Sequence, residues 1–146
     1  MADAKGDVLE NLMLGLIFNA TSIPGIADND ATGPLTSLSL QLHTASPTDT
    51  GDLTSNEATY TNYARMGVER TSSGWTVSGT TAKLTATVSF PQAGGGSNLI
   101  THFSVGNTTV AASTGTMYYY GTVSPNITVT NGVTPRLTTN TAISEL

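Results

Sequence analysis

Apolar and polar residues alternate strictly across residues 37–43, with Leu38, Leu40 and Leu42 set between Ser37, Ser39, Gln41 and His43. A period of two is the mark of a strand with one buried face. Residues 60–70 read as a second strand, with Ala64, Met66 and Val68 inward. A short segment at 75–78 follows Gly74. Leu84, Ala86, Val88 and Phe90 alternate until Pro91 stops the run. Residues 99–105 carry apolar groups on both faces, which predicts a central strand or one covered on both sides. Residues 117–123 form a further strand, and Ile127 and Val129 a short one before the Asn131-Gly132 turn. A last segment follows Pro135, and the polar tail 138–146 is read as loose or bound elsewhere.

One stretch breaks the period of two. Asp7 stands three residues before Glu10, a capping pair for a helix start. Val8, Leu9, Leu12, Met13, Leu16 and Ile17 then follow at helical spacing. Asn19 and Pro24-Gly25 end the pattern, which predicts a helix over 7–19. Residues 1–6 read as a flexible or partner-bound arm, and 26–34 and 45–57 as loops. The expected fold is all-β: an antiparallel β-sandwich or jelly-roll-like barrel of about seven to eight strands with one short N-terminal α-helix. Residues 7–146 are expected to form a single β domain.

Composition narrows the function. Between Glu69 and Glu145 there is no acidic residue. Acid–base chemistry needs an ionisable group of tuned pKa beside the substrate, and half the chain is poorly equipped for it. Charged residues make up 10% of the chain, against about 25% in ordinary domains. That leaves a surface of neutral hydroxyls and amides, suited to being covered by partners. The net charge is −5 and the five basic residues are scattered, which disfavours a nucleic-acid partner. Cysteine is absent, so no thiolate metal site or disulfide is expected. The apolar run 12–18 is too short to span a bilayer, and its acidic flank does not fit a signal peptide.

Candidate chemistry is sparse. His43 and His102 lack a metal-ligand spacing and are expected to be held by local hydrogen bonds. Asp49, Asp52 and Glu57 share one loop, where oxygen ligands for a hard cation are conceivable, yet the spacing fits no calcium loop. No Gly-x-Ser-x-Gly motif is present. Gly94-Gly95-Gly96-Ser97 lacks the lysine and strand-loop-helix setting of a phosphate loop. No catalytic, cofactor-binding or metal-binding residue is assigned, and no cofactor is expected. In a strand, Tyr119 points opposite to Tyr118 and Tyr120, so one face carries tyrosine outward or into an interface. The expected partner-interface residues are Leu9, Leu12, Met13 and Leu16 on the helix, with Tyr118 and Tyr120.

Five blocks occur in order: Leu38-Ser39-Leu40-Gln41-Leu42-His43-Thr44-Ala45 running into Ser46-Pro47-Thr48-Asp49-Thr50-Gly51; Glu57 with Tyr60 and Tyr63-Ala64-Arg65; Ser89-Phe90-Pro91; Ile100-Thr101-His102-Phe103; and Tyr119-Tyr120-Gly121. Together they resemble a family of small tailed-bacteriophage virion proteins, over most of the chain from Val8 to Pro135. Ser46 departs from that pattern, which tends to have Asp there, and the loop before the first strand is longer. The resemblance implies a virion component and carries no catalytic residue. Small size, low charge and the apolar helix point to a capsid decoration (cement) protein on the head surface. It is expected to be made in the host cytoplasm, to form a homotrimer and to bind the major capsid protein. The alternative is a tail-fibre or receptor-binding module that contacts a host-surface glycan. An enzyme is the remaining rival, to be judged by whether Asp49, Asp52 or Glu57 lines a cleft.

Overall fold

The structure is a computed structural model. It describes the backbone of residues 7–22 and 35–144, with helix side chains from residue 10 onward. The expected arm at 1–6 and the expected loop at 26–34 lie outside the described residues. The protein is all-β with one N-terminal helix. The helix α1 spans Asp7–Asn19, the bounds expected from its pattern. Nine strands follow among the described residues, against the seven to eight expected, and two of them are only two residues long. The residues cluster into two compact units. A helix unit is drawn from Met1–Ser37, Glu69–Thr87 and Thr138–Leu146, and a sheet unit from Leu38–Val68 and Val88–Leu137.

In the helix unit, α1 packs on β3 (Trp75–Ser78) and β4 (Thr81–Leu84). The buried side of α1 is Glu10, Leu14 and Phe18, while Leu12, Met13, Leu16 and Ile17 are half-buried. The helix is apolar on nearly all sides after Asn11, so periodicity alone does not select its core face. Packing selects it: the Phe18 ring meets Trp75 at 4.5 Å between centroids, and both residues are fully buried. Each such side chain contributes about 1.5–3 kcal/mol of burial. The helix ends with Ala20 at φ 52 and a bond from Thr21 N–H to the Gly15 carbonyl at 3.0 Å. Arg70 donates to the Leu16 and Ile17 carbonyls at 2.5 and 2.6 Å, filling acceptors that a helix end leaves open. The strand β9 (Ala142–Ser144) adds to β4, with Ile143 buried. The tail expected to be loose or bound elsewhere thus supplies a sheet strand at Ala142–Ser144, anchored by one isoleucine that its polar neighbours mask.

In the sheet unit, four strands run in the order β2 (Met66–Glu69), β1 (Ser37–His43), β6 (Asn98–Gly106), β7 (Met117–Val129). β1 and β6 are antiparallel, with Ser39 opposite Gly106 and His43 opposite His102. β5 (Val88–Ser89) pairs with β8 (Arg136–Leu137). Three expectations need correction here. The strand expected over 60–70 begins only at Met66, because Tyr60 and Tyr63 close a turn through Tyr63 N–H and the Tyr60 carbonyl. Ala64 is then exposed and Arg65 is buried. The alternation from Leu84 to Phe90 is split between β4 and β5, and Ala86 is exposed. The two strands expected between 117 and 129 are one, with bulged pairing to β6 between Thr122 and Ile127.

Candidate functional site

β1 is buried on both faces from Leu38 to His43. One face holds Leu38, Leu40 and Leu42. The other holds Ser39, Gln41 and His43, which alternation alone assigns to solvent. The loop at 44–57 accounts for the difference. It returns to the strand it left: Thr44 N–H donates to the Asn56 carbonyl at 2.8 Å and Ala58 N–H to the Leu42 carbonyl at 2.9 Å. Leu53 is fully buried, and a Cβ on Gly106 or Gly115 would come within 2.8 Å of its methyl groups. A Cβ on Gly51 would stand 1.9 Å from the Pro47 carbonyl oxygen, so only glycine permits that approach.

Beneath the loop a chain of buried polar groups crosses the sheet. Gln41 Nε2 donates to Ser39 Oγ at 2.6 Å, and the Ser104 hydroxyl lies 2.9 Å from Gln41 Oε1. Ser104 Oγ is also 2.7 Å from His43 Nε2, and His43 Nδ1 is 2.8 Å from the Ser55 carbonyl. Buried polar groups persist only when hydrogen-bonded. Burial pushes the His43 pKa below its ordinary value, against smaller upward effects of Ser55 and Glu57. His102 lies across the ladder from His43 and bonds its neighbour Thr101 at 2.8 Å. His102 is thus held by its chain neighbour, as expected, whereas His43 is held by the loop and by the facing strand.

Further along, Glu57 and Arg65 form a two-pronged ion pair, with Arg65 Nε donating to Oε1 at 2.7 Å and Nη2 to Oε2 at 2.8 Å. Their side chains are 13% and 1% exposed. Arg65 Nη1 also donates to the Val110 carbonyl at 3.0 Å, and the Tyr63 hydroxyl to Glu57 at 3.0 Å. The bond from Arg65 to Glu57 raises the Arg65 pKa. Burial, then the Glu57 charge, drives the Tyr63 hydroxyl far above its ordinary value, and burial alone pushes Tyr60 up to about 12. The pair borders a cavity of about 290 Å³ walled by Thr54, Thr59, Tyr63, Ala64, Ala111 and Ala112.

The acidic loop residues divide. Glu57 lines the cavity but is engaged by Arg65 and Tyr63. Asp52 accepts from Thr54 N–H and Oγ1 at 2.8 and 2.7 Å, and these bonds lower its pKa. The Tyr120 hydroxyl donates to exposed Asp49, which raises the tyrosine pKa. No cluster of three metal-ligating side chains occurs among the described residues. Of the expected interface residues, Tyr118 and Tyr120 are 41% and 39% exposed. Tyr119 is half-buried on the opposite side of β7. Leu12, Met13 and Leu16 are half-buried on α1, and the side chain of Leu9 lies outside the described residues.

Sequence reasoning missed Arg65, Gln41, Ser39 and Ser104 as buried polar groups, and the half-buried Tyr63 as the partner of Glu57. One signal was present. In a chain with five basic residues, an arginine two residues from a tyrosine and eight from a glutamate is a candidate for a specific partner.

The fold and these internally matched polar groups define a class: an all-β protein whose ionisable groups brace its own loops. A family model described as "Podophage GP4 fiber I protein gp80" matches residues 4–144, and the chain belongs to that family. It is therefore a structural protein of a tailed-phage virion family, as the ordered sequence blocks indicated. No curated protein matches it.

Proposed function

We propose that the protein is a subunit of a virion fibre and works by contact with neighbouring virion proteins, not by catalysis. Membership of the fibre-protein family over residues 4–144 is the observation that carries this reading. The engagement of Glu57, Asp52 and His43 in internal bonds supports it, because each group is committed to the fold. The exposed rings of Tyr118 and Tyr120 on β7 are the expected contact surface in the sheet unit, since tyrosine is enriched at interfaces. In the fibre setting, the same rings suit a host-surface glycan.

A second reading keeps the chain on the head as a decoration protein, a homotrimer bound to the major capsid protein. Its support is the low charge of the whole chain, 10% of residues, which suits broad coverage by partners. Gold-labelled antibody against the protein, viewed on intact virions by electron microscopy, separates the two. Label along fibres or the tail supports the fibre subunit. Label spread over the head replaces it with decoration, and virions without label, when the denatured virion protein is recognised, would refute both surface locations.

A further inference from the structure

With Gln41 Nε2 turned toward Ser39, the buried chain Ser39–Gln41–Ser104–His43–Ser55 is one hydrogen short when His43 is neutral. The Ser55 carbonyl can only accept, so His43 Nδ1 carries hydrogen and donates to it at 2.8 Å. A neutral imidazole then has a bare Nε2, which must accept from the Ser104 hydroxyl at 2.7 Å. Yet that hydroxyl, with a single hydrogen, also faces Gln41 Oε1 at 2.9 Å. It cannot serve both acceptors.

Two arrangements close the gap. In the first, His43 is neutral and the Gln41 amide is turned end for end. Ser39 then donates to Gln41 Oε1, Gln41 Nε2 to Ser104, Ser104 to His43 Nε2, and His43 Nδ1 to Ser55. In the second, His43 is charged. Its Nε2–H donates to Ser104, Ser104 donates to Gln41 Oε1, and Gln41 Nε2 donates to Ser39 at 2.6 Å and to the Thr108 carbonyl at 3.5 Å. Every bond between Ser39 and His43 changes direction between the two.

We infer that His43 is a proton-operated switch, in which its protonation reverses the hydrogen-bond direction along β1 and β6 and turns the Gln41 amide over. The groups that bear on it come from each element around it. His102 faces it from β6 and disfavours its charge. Glu57, bridged to His43 across the loop, favours it, and Arg65 opposes it. Because the Ser55 carbonyl belongs to the loop at 44–57, the switch lies at the seam that holds this loop on the sheet.

Nitrogen-resolved NMR of the full chain through a pH titration tests this. At neutral pH the His43 ring should show the Nδ1–H tautomer. Its titration midpoint should lie below 6.5, and the Gln41 side-chain amide signals should move with that same midpoint. Ser104→Ala removes the middle of the chain, so Gln41 should cease to follow His43 while His43 still titrates. An Nε2–H tautomer at neutral pH, Gln41 signals indifferent to His43, or a coupled response that survives in Ser104→Ala would each overturn the inference. Should Ser104→Ala fail to fold, the wild-type tautomer and the co-titration of Gln41 decide alone.

Discussion

Replacing Arg65 by alanine is the sharpest test of how the sheet unit is held. The substitution strips Glu57 of its fork at 2.7 and 2.8 Å and leaves the Val110 carbonyl without its 3.0 Å donor. Tyr63 alone then faces a carboxylate that is 13% exposed. Removing one partner of a buried pair costs about 3–5 kcal/mol, because the other charge is left behind. An exposed pair would cost at most about 1 kcal/mol. With its side chain 1% exposed, Arg65 belongs to the first case, and we expect a loss near 4 kcal/mol out of a total of about 5–15 kcal/mol. The chain supplies its own probes. All five tyrosines lie in the sheet unit and the lone tryptophan in the helix unit. In guanidinium titrations the tyrosine transition should shift to lower denaturant. The double substitution Glu57→Gln with Arg65→Met should recover part of the loss, since no charge is then stranded. A cost below about 1 kcal/mol, or one that high salt abolishes, would show that the pair behaves as a surface contact and refute the argument.

Three further outcomes are expected. Phe18→Ala should cost about 3–5 kcal/mol and red-shift Trp75 emission, because the two fully buried rings touch; unchanged emission would contradict the packing. Gly51→Ala should destabilise the loop at 44–57 by more than an ordinary surface change of about 0.5 kcal/mol, since its Cβ would stand 1.9 Å from the Pro47 oxygen; rapid amide exchange in that loop is the readout. The pKa of His43 is depressed in the folded state, so the unfolded chain takes up the proton first as pH falls. Stability of the sheet unit should therefore decline as pH drops below 6.5, by at most about 1.4 kcal/mol per pH unit for the one proton. His43→Gln should flatten that slope, and an equal slope in the variant would assign it elsewhere.

Much of this was legible in the residues. The helix bounds and β1 follow from period and caps, because local sequence decides them. The ordered blocks from Leu38 to Gly121 pointed to the virion family. What escaped is non-local. Ser39, Gln41 and His43 read as solvent-facing, and only a loop anchored by Leu53 and Gly51 makes that face interior. Ala64 and Arg65 exchanged places because a turn at Tyr60 and Tyr63 begins the strand later than its composition indicates. On α1 the apolar residues surround the axis, so only contact with Trp75 shows which ones are core.

The helix unit is assembled from both ends of the described chain, and this sets an order of events during synthesis. Every residue of the sheet unit has been synthesised once Leu137 is made, whereas β4 lacks its neighbour β9 until Ser144 follows. Translation adds about 5–20 residues per second. The helix therefore waits on the order of 10 s before the last strand of its own unit arrives. β4 shows an open edge throughout that interval, and the sheet unit is complete for only about the last second of it. A chain that stops at Leu137 and is released from the ribosome should therefore give a protease-resistant sheet unit and a helix unit that is still cleavable.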